Sequence, residues 1–240
     1  KSFGALLATD NLSFQVKKRD IHAIIGPNGA GKTTLIGQLT GEIESDSGSI
    51  LFDGNNISGV PVHLRSAHGL ARSFQISNIF HDMTTWDNVA LAVQAHAGHS
   101  FHFWKNASQE QELRRPAIEF LAMVGLENRA KFVAGQLSHG EHRQLEIAMA
   151  LATNPKMLLL DEPMAGMGPK ESQEIVKILQ KLKRKLTILL IEHDMNVVFT
   201  LADRITVLVN GRGIATDIPD AIKKNQKVIA AYLGEESYHA

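Results

Sequence analysis

The chain contains no cysteine, which excludes a disulfide framework, thiol catalysis and a zinc finger. It has no excess charge of either sign, with Lys+Arg 25 against Asp+Glu 25 and a formal net charge of zero with His neutral. A duplex nucleic-acid binder usually carries a basic excess, so no nucleic-acid partner is expected. Long apolar runs are also missing. Aliphatic stretches such as Ile188-Leu189-Leu190-Ile191 are strand-sized, far short of the roughly 20 residues of a membrane span. A soluble chain is expected, reaching a membrane only through a partner. Lys1-Ser2-Phe3-Gly4 has no leader character, and the missing initial Met predicts a start inside the first strand. The basic run Lys181-Leu182-Lys183-Arg184-Lys185 reads as the solvated end of a helix rather than a nucleic-acid or lipid patch. The 240 residues suffice for one large domain with a buried interior.

What is present starts near the N-terminus. Gly26, Pro27, Asn28, Gly29, Ala30, Gly31, Lys32 and Thr33 fit GxxxxGK[ST], a loop that cradles phosphates when it joins a strand to a helix. The flanks supply that context: Ile21 to Ile25 reads as a strand, and Thr34 to Leu39 as the opening of a helix. Glycines at 26, 29 and 31 let backbone N–H groups turn toward a triphosphate, and the helix N-terminus adds partial positive charge. Lys32 is placed for the β- and γ-phosphates and the Thr33 hydroxyl for Mg²⁺. The alternative, a Gly-rich turn with an accidental lysine, leaves these flanks unexplained.

Farther along, Met157-Leu158-Leu159-Leu160-Asp161-Glu162 reads as an apolar strand ending in two carboxylates, and such strand ends are where ligands sit in parallel sheets. Beside a phosphate loop, Asp161 is a candidate for the Mg²⁺ shell and Glu162 for the general base that polarises an attacking water. A helix-opening acid pair is the structural alternative. Leu137-Ser138-His139-Gly140-Glu141 opens a helix. Ser138 with Glu141 three residues on fits a capping box, which alone would account for both; the same helix start with a bare Gly140 also suits an anion.

The fold class expected is α/β: a P-loop core with a mostly parallel sheet, an N-terminal antiparallel β subdomain and a helical insertion. The buried-strand runs are Ile21–Ile25, Met157–Leu160, Leu186–Ile191 and Ile205–Val209. Leu12 to Val16 alternates apolar and polar and predicts a half-exposed antiparallel strand, with another at Gly48 to Phe52 before the turn Asp53-Gly54. Asn210-Gly211 predicts a hairpin. Residues 76–153 turn helical, with Ile118, Leu121 and Met123 toward one side of a helix from Gln109 to Val124, and Leu145, Ile147, Ala148 and Leu151 lining another. There is no internal repeat and no long linker.

The order of these pieces, from phosphate loop through Gln75 and Leu-Ser-His-Gly-Glu to Asp161-Glu162 and His193, resembles the ATP-binding-cassette (ABC) ATPase family over essentially the whole chain. The resemblance implies a single cassette domain, with residues 1–75 and 154–240 as core and 76–153 as the helical subdomain carrying the signature. It implies Mg-ATP as ligand and two cassettes facing head to tail. Ser138 and Gly140 would then contact the γ-phosphate of ATP on the partner chain. Gln75 looks like the residue that senses Mg²⁺ and γ-phosphate and relays this to the membrane subunit. His193 resembles the switch histidine that bonds the γ-phosphate, although alone it reads equally as a core or cap histidine. Phe3 sits where the family places its adenine-stacking aromatic, with a core Phe as the alternative.

This chain departs from the common pattern Leu-Ser-Gly-Gly-Gln at His139 and Glu141, and has Gly168 where the family usually has an Asp after Asp161-Glu162-Pro163. These departures, with Gly69 to Gln75 and the ending Ala231-Tyr232-Leu233-Gly234-Glu235, look like bacterial importers of branched-chain amino acids. Relatives of that group handle urea or short amides or extract lipopolysaccharide. The implied partners are a second cassette (the same chain or a homologue), transmembrane permease subunits and, indirectly, an extracytoplasmic binding protein. The implied place is peripheral, on the cytoplasmic face of the bacterial inner membrane. Soluble ABC ATPases of DNA repair or translation usually carry two cassettes or a coiled-coil insertion, neither of which is here. A GTPase should show Asn-Lys-x-Asp, and a small-molecule kinase leaves Leu137–Glu141 unexplained. A non-catalytic nucleotide sensor would not need Lys32, Asp161, Glu162 and His193 together. The insert from His96 to Trp104 spaces His96, His99 and His102 for a metal only if helical, but Gly98 and Ser100 break a helix, so an exposed loop is expected.

Overall fold

The computed structural model describes residues 1–73, 79–96 and 107–236. They form two compact units, Lys1–His68 with Lys183–Ala240, and Gly69–Leu182. The first stretch carries β1 (Ser2–Phe3), β2 (Leu6–Leu7), β3 (Ile21–Ile25), α1 (Lys32–Thr40), β4 (Leu51–Phe52), β5 (Asn55–Asn56) and α2 (Val62–Ala67). The second unit carries β6 (Leu70–Ser73), α3 (Thr85–His96), α4 (Ala107–Val124), α5 (His139–Ala152), β7 (Met157–Asp161) and α6 (Pro169–Leu182). The chain then completes the first unit with β8 (Thr187–Ile191), α7 (Met195–Leu201), β9 (Arg204–Val209), β10 (Arg212–Asp217), α8 (Pro219–Lys224) and α9 (Gln226–Glu236).

In the first unit β3 pairs parallel with both β8 and β9, and β10 closes on β9 antiparallel through the Asn210-Gly211 turn. Asn210 and Gly211 take φ of 46° and 76°, the left-handed pair of a type I′ hairpin. Every residue of β3 is buried, which is why it reads as a near-continuous apolar run. Ala23 and Ile25 pack with Val198, Ile205, Val207 and Ile222 in the core, where each fully buried aliphatic side chain contributes about 1.5–3 kcal/mol. His22 is the polar exception: its Nε2 bonds Thr206 Oγ1 at 2.8 Å, and Thr206 in turn bonds Thr216. Burial first, and Arg204 second, lower the His22 pKa to about 4. Buried Arg65 in α2 donates to the carbonyls of Gln38 and Leu39 at 2.7 and 2.8 Å, satisfying acceptors that the end of α1 leaves open.

The antiparallel pairs at the N-terminal end are shorter than the sequence pattern suggests. β4 begins at Leu51 rather than Gly48 and meets β5 across Asp53-Gly54. Leu12 to Val16 is no strand: Leu12, Phe14 and Val16 are half-buried and Ser13 and Gln15 exposed. Alternation therefore reports burial there, without the ladder a strand also needs.

In the second unit β6 and β7 run parallel, Leu70 opposite Met157 through Ser73 opposite Leu160. Helices α3, α4 and α5 pack against one another, and α5 also against β6 and α6. Among the described side chains of α4 the buried ones are Ala117, Leu121 and Val124, spaced i, i+4, i+7 as a helical stripe requires. Ile118 and Met123, expected beside Leu121, are exposed because they fall off that stripe. The basic run follows the end of α6: Arg184 bonds Asp20 and Asp203, Lys183 pairs with Asp203, and Lys181 and Lys185 are exposed.

Candidate nucleotide site

The phosphate loop leaves β3 and enters α1, and its glycines are demanded by neighbouring backbone. A Cβ on Gly26 would lie 2.1 Å from the Leu208 carbonyl oxygen, and one on Gly31 would lie 2.2 Å from that of Ala8. Gly31 also takes φ 99°, a left-handed conformation that favours glycine. Gly29 has φ 77° and open space around it, so only its backbone angle asks for glycine. The Lys32 ammonium donates to the carbonyls of Gly26 and Pro27 at 2.6 and 2.9 Å, which places the cation inside the loop it serves. Pro27, Lys32 and Thr34 are half-buried, Ala30 is buried, and Asn28, Gly29 and Thr33 are exposed.

Register brings His193 to the same edge. Ile24 pairs with Ile191 across parallel β3 and β8, so two residues on each strand lead to Gly26 and His193 side by side. The His193 side chain is exposed, and its N–H donates to the buried carboxylate of Glu192 at 3.1 Å. Glu192 was not singled out in the sequence, since nothing there separates a buried carboxylate from the exposed acids around it. Asp194 caps α7 through the N–H groups of Asn196 and Val197. Phe3, 48 % exposed, is not a core residue; the Lys1 ammonium lies 5.4 Å from its ring centroid.

In the second unit Asp161 is the last residue of β7, and Glu162 follows it with φ 45°. A non-glycine residue held there costs about 1–2 kcal/mol, and such outliers cluster at functional sites. Asp161 is buried and its Oδ2 accepts from Arg72 Nη2 at 3.3 Å. Burial raises the Asp161 pKa against the opposing charge of Arg72, and the neighbouring Glu162 charge raises it further. Arg72 is a partner that sequence reading passed over, although it stands three residues before Gln75. Gln75 itself lies outside the described residues, as do His99 and His102 of the insert.

Ser138 is the N-cap of α5 in a complete capping box: its Oγ accepts from Glu141 N at 3.2 Å while Glu141 Oε2 accepts from Ser138 N at 2.9 Å. Arg129 Nε donates to the other Glu141 oxygen at 2.9 Å. Buried Gly140 sits beneath α6, where a Cβ would come within 3.0 Å of Glu171 Oε1. Glu171 also receives the Gly168 N–H at 3.4 Å. A Cβ on Gly166 would lie 3.8 Å from His139 Nε2. Two places where the chain departs from the common family pattern, His139 and the loop ending at Gly168, are therefore neighbours.

Each unit, taken by itself, offers side chains of the kind Mg-ATP takes. Thr33 and Asp161 offer hydroxyl and carboxylate oxygens, the ligands a hard cation takes, and a lysine at a helix start suits a polyphosphate. Among the described residues no group of three or more His, Cys, Asp or Glu side chains that could hold a metal ion occurs.

A family model described as ABC transporter matches residues 9–165, and one described as Branched-chain amino acid ATP-binding cassette transporter matches residues 214–238. The chain belongs to the ABC transporter family, as an ATP-binding-cassette ATPase. It is 39% identical to the high-affinity branched-chain amino acid transport ATP-binding protein BraF of Pseudomonas aeruginosa, over 97% of this chain and 94% of the relative. The corresponding protein LivG of Escherichia coli is also 39% identical over 97% and 94%. A probable LivG of Archaeoglobus fulgidus is 33% identical over 98% and 93%. An ABC-transporter cassette crystallised in its ADP conformation superposes with a TM-score of 0.84 at 32% identity, covering 98% of this chain and 95% of that one. A dimeric cassette in a post-hydrolysis state bound to ADP and Pi gives 0.75 at 25% identity, over 91% and 94%.

Proposed function

We propose that this chain is the Mg²⁺-dependent ATP-hydrolysing subunit of an importer for branched-chain amino acids. The observation that carries the reading is the 39% identity to BraF along 97% of the chain, supported by the branched-chain amino acid transporter match at 214–238. The chain works as one cassette, with residues 76–153 as its helical subdomain, and pairs with a second cassette around two ATP molecules. It drives a permease pair supplied by an extracytoplasmic binding protein. Its place is the cytoplasmic face of the membrane, as a peripheral subunit; among the described residues no helix is long and apolar enough to cross a membrane.

The backbone from Gly26 to Thr34 and the Lys32 ammonium hold the β- and γ-phosphates, and Phe3 stacks on the adenine, an interaction typically worth about 1–3 kcal/mol. Thr33, Asp161 and Gln75 would hold Mg²⁺, which would supply positive charge beside the phosphoryl oxygens. Glu162 takes the proton of the attacking water, and His193 hydrogen-bonds the γ-phosphate. Ser138 and Gly140 contact the γ-phosphate of ATP on the second cassette. ATP shifts the permease only by binding the closed pair better than the open one, so closure needs both the loop and the opposing signature.

Uptake of labelled leucine into cells carrying wild-type or Lys32→Ala protein tests the cargo, with urea in parallel and redundant carriers deleted. Loss of leucine uptake alone is the expected result. Normal leucine uptake with urea uptake abolished would move the chain to the amide branch.

A further inference from the structure

We propose that Arg129 is a positioning residue for the signature: it neutralises Glu141, so that Ser138 and the first turn of α5 can take a γ-phosphate from a second copy of the chain. This deepens the sandwich reading above and rests on it. The box that starts α5 uses a carboxylate where the common family pattern has an amide. Both residues close the same box, because either side chain can accept from the Ser138 N–H. They differ in charge. A carboxylate in the first turn is favourable for the helix itself, but it also opposes the field that the same helix end offers to an incoming phosphate.

The structure holds a compensating cation at that carboxylate. Arg129 Nε donates to Glu141 Oε1 at 2.9 Å, leaving Oε2 for the Ser138 N–H. Arg129 ends the short 3₁₀ turn Glu127–Arg129, and its guanidinium lies 4.6 Å from the centroid of the Phe132 ring, a cation–π contact that favours the planar group in place. Ser138 Oγ already accepts from Glu141 N, so its O–H is the group left to donate to a phosphate oxygen. At 45% and 23% side-chain exposure, the Arg129–Glu141 pair adds little to stability by the usual standard of surface ion pairs. Its consequence is local charge balance beside an anion site.

The test is ATP-driven dimerisation of the Glu162→Gln chain, followed by sedimentation velocity over a range of Mg-ATP concentrations. Adding Arg129→Gln is expected to raise the ATP concentration at half-dimerisation about fivefold or more, since the unpaired carboxylate then faces the phosphate. Adding Glu141→Gln to that chain is expected to restore the original midpoint, because an amide needs no counter-ion. Binding of a fluorescent ATP analogue to the monomer, together with the thermal midpoint, controls for folding. Equal weakening by Arg129→Gln with Glu or Gln at 141 would overturn the proposal in favour of a purely structural turn. An unchanged midpoint would overturn it too. If the Glu162→Gln parent forms no ATP-dependent dimer, the sandwich itself falls and this inference with it.

Discussion

The phosphate loop and the signature each open a helix, α1 at Lys32 and α5 at His139, yet they are held in different ways. At Gly26 and Gly31 the loop is pressed against the carbonyls of Leu208 and Ala8, with no room for a Cβ. At Ser138 the helix start is tied by the reciprocal bonds of Ser138 and Glu141, with Arg129 donating in turn to Glu141, on residues that are exposed or partly so. A loop shaped by backbone packing tolerates almost no substitution. A start shaped by side-chain bonds can be rebuilt with other groups of similar reach. That contrast gives a physical reason why the chain keeps GxxxxGK[ST] intact while carrying His139 and Glu141 in the signature.

Substitution on the packed side should cost most. Gly31→Ala meets both a 2.2 Å approach and φ 99°, and should lose about 3 kcal/mol or more in urea unfolding. Gly29→Ala, with nothing within 4 Å, should lose only about 1–2 kcal/mol, the cost of its backbone angle. Equal losses at the two positions would remove the distinction between packing and dihedral strain.

Acid is next. His22 is buried on β3 with its pKa lowered to about 4, so its neutral form belongs to the folded state. The unfolded chain binds the proton first, so the contribution is full above pH 6.5 and is lost as pH falls from there through about 4. The loss amounts to about 3 kcal/mol. His22→Val should flatten this part of the stability–pH curve, measured by denaturant unfolding at each pH. A curve of unchanged steepness would show that other groups carry the acid sensitivity.

On the softer side the effect should be smaller. Ser138→Ala removes one capping bond and should cost about 1 kcal/mol of stability, read from the thermal midpoint. A loss as large as that of Gly31→Ala would contradict the contrast.

Much of this was legible in the sequence where a local pattern has a local cause. The apolar runs became β3, β7, β8 and β9 because both their faces are covered, and Asn210-Gly211 turned because only certain residues accept two left-handed angles. The capping box was visible because its residues are three apart. Elsewhere the cause was not local. Leu12 to Val16 has strand-like alternation, but a strand also needs a partner that no local pattern names. Ile118 and Met123 were misplaced because apolar residues on both sides of Leu121 hid which stripe of α4 is buried. The pairs Arg72–Asp161 and Arg129–Glu141 join residues 89 and 12 apart, and such partners emerge only when the fold brings them together.

The most direct measurement is steady-state ATP turnover by the purified chain with Mg²⁺, compared with Glu162→Gln and Lys32→Ala. The account predicts turnover by the wild type, a loss of about 10²–10⁴-fold in Glu162→Gln from removal of the general base, and retained ATP binding in that variant but not in Lys32→Ala. Turnover at the wild-type rate in Glu162→Gln would contradict the assignment of the base, and wild-type nucleotide affinity in Lys32→Ala would contradict the phosphate loop itself.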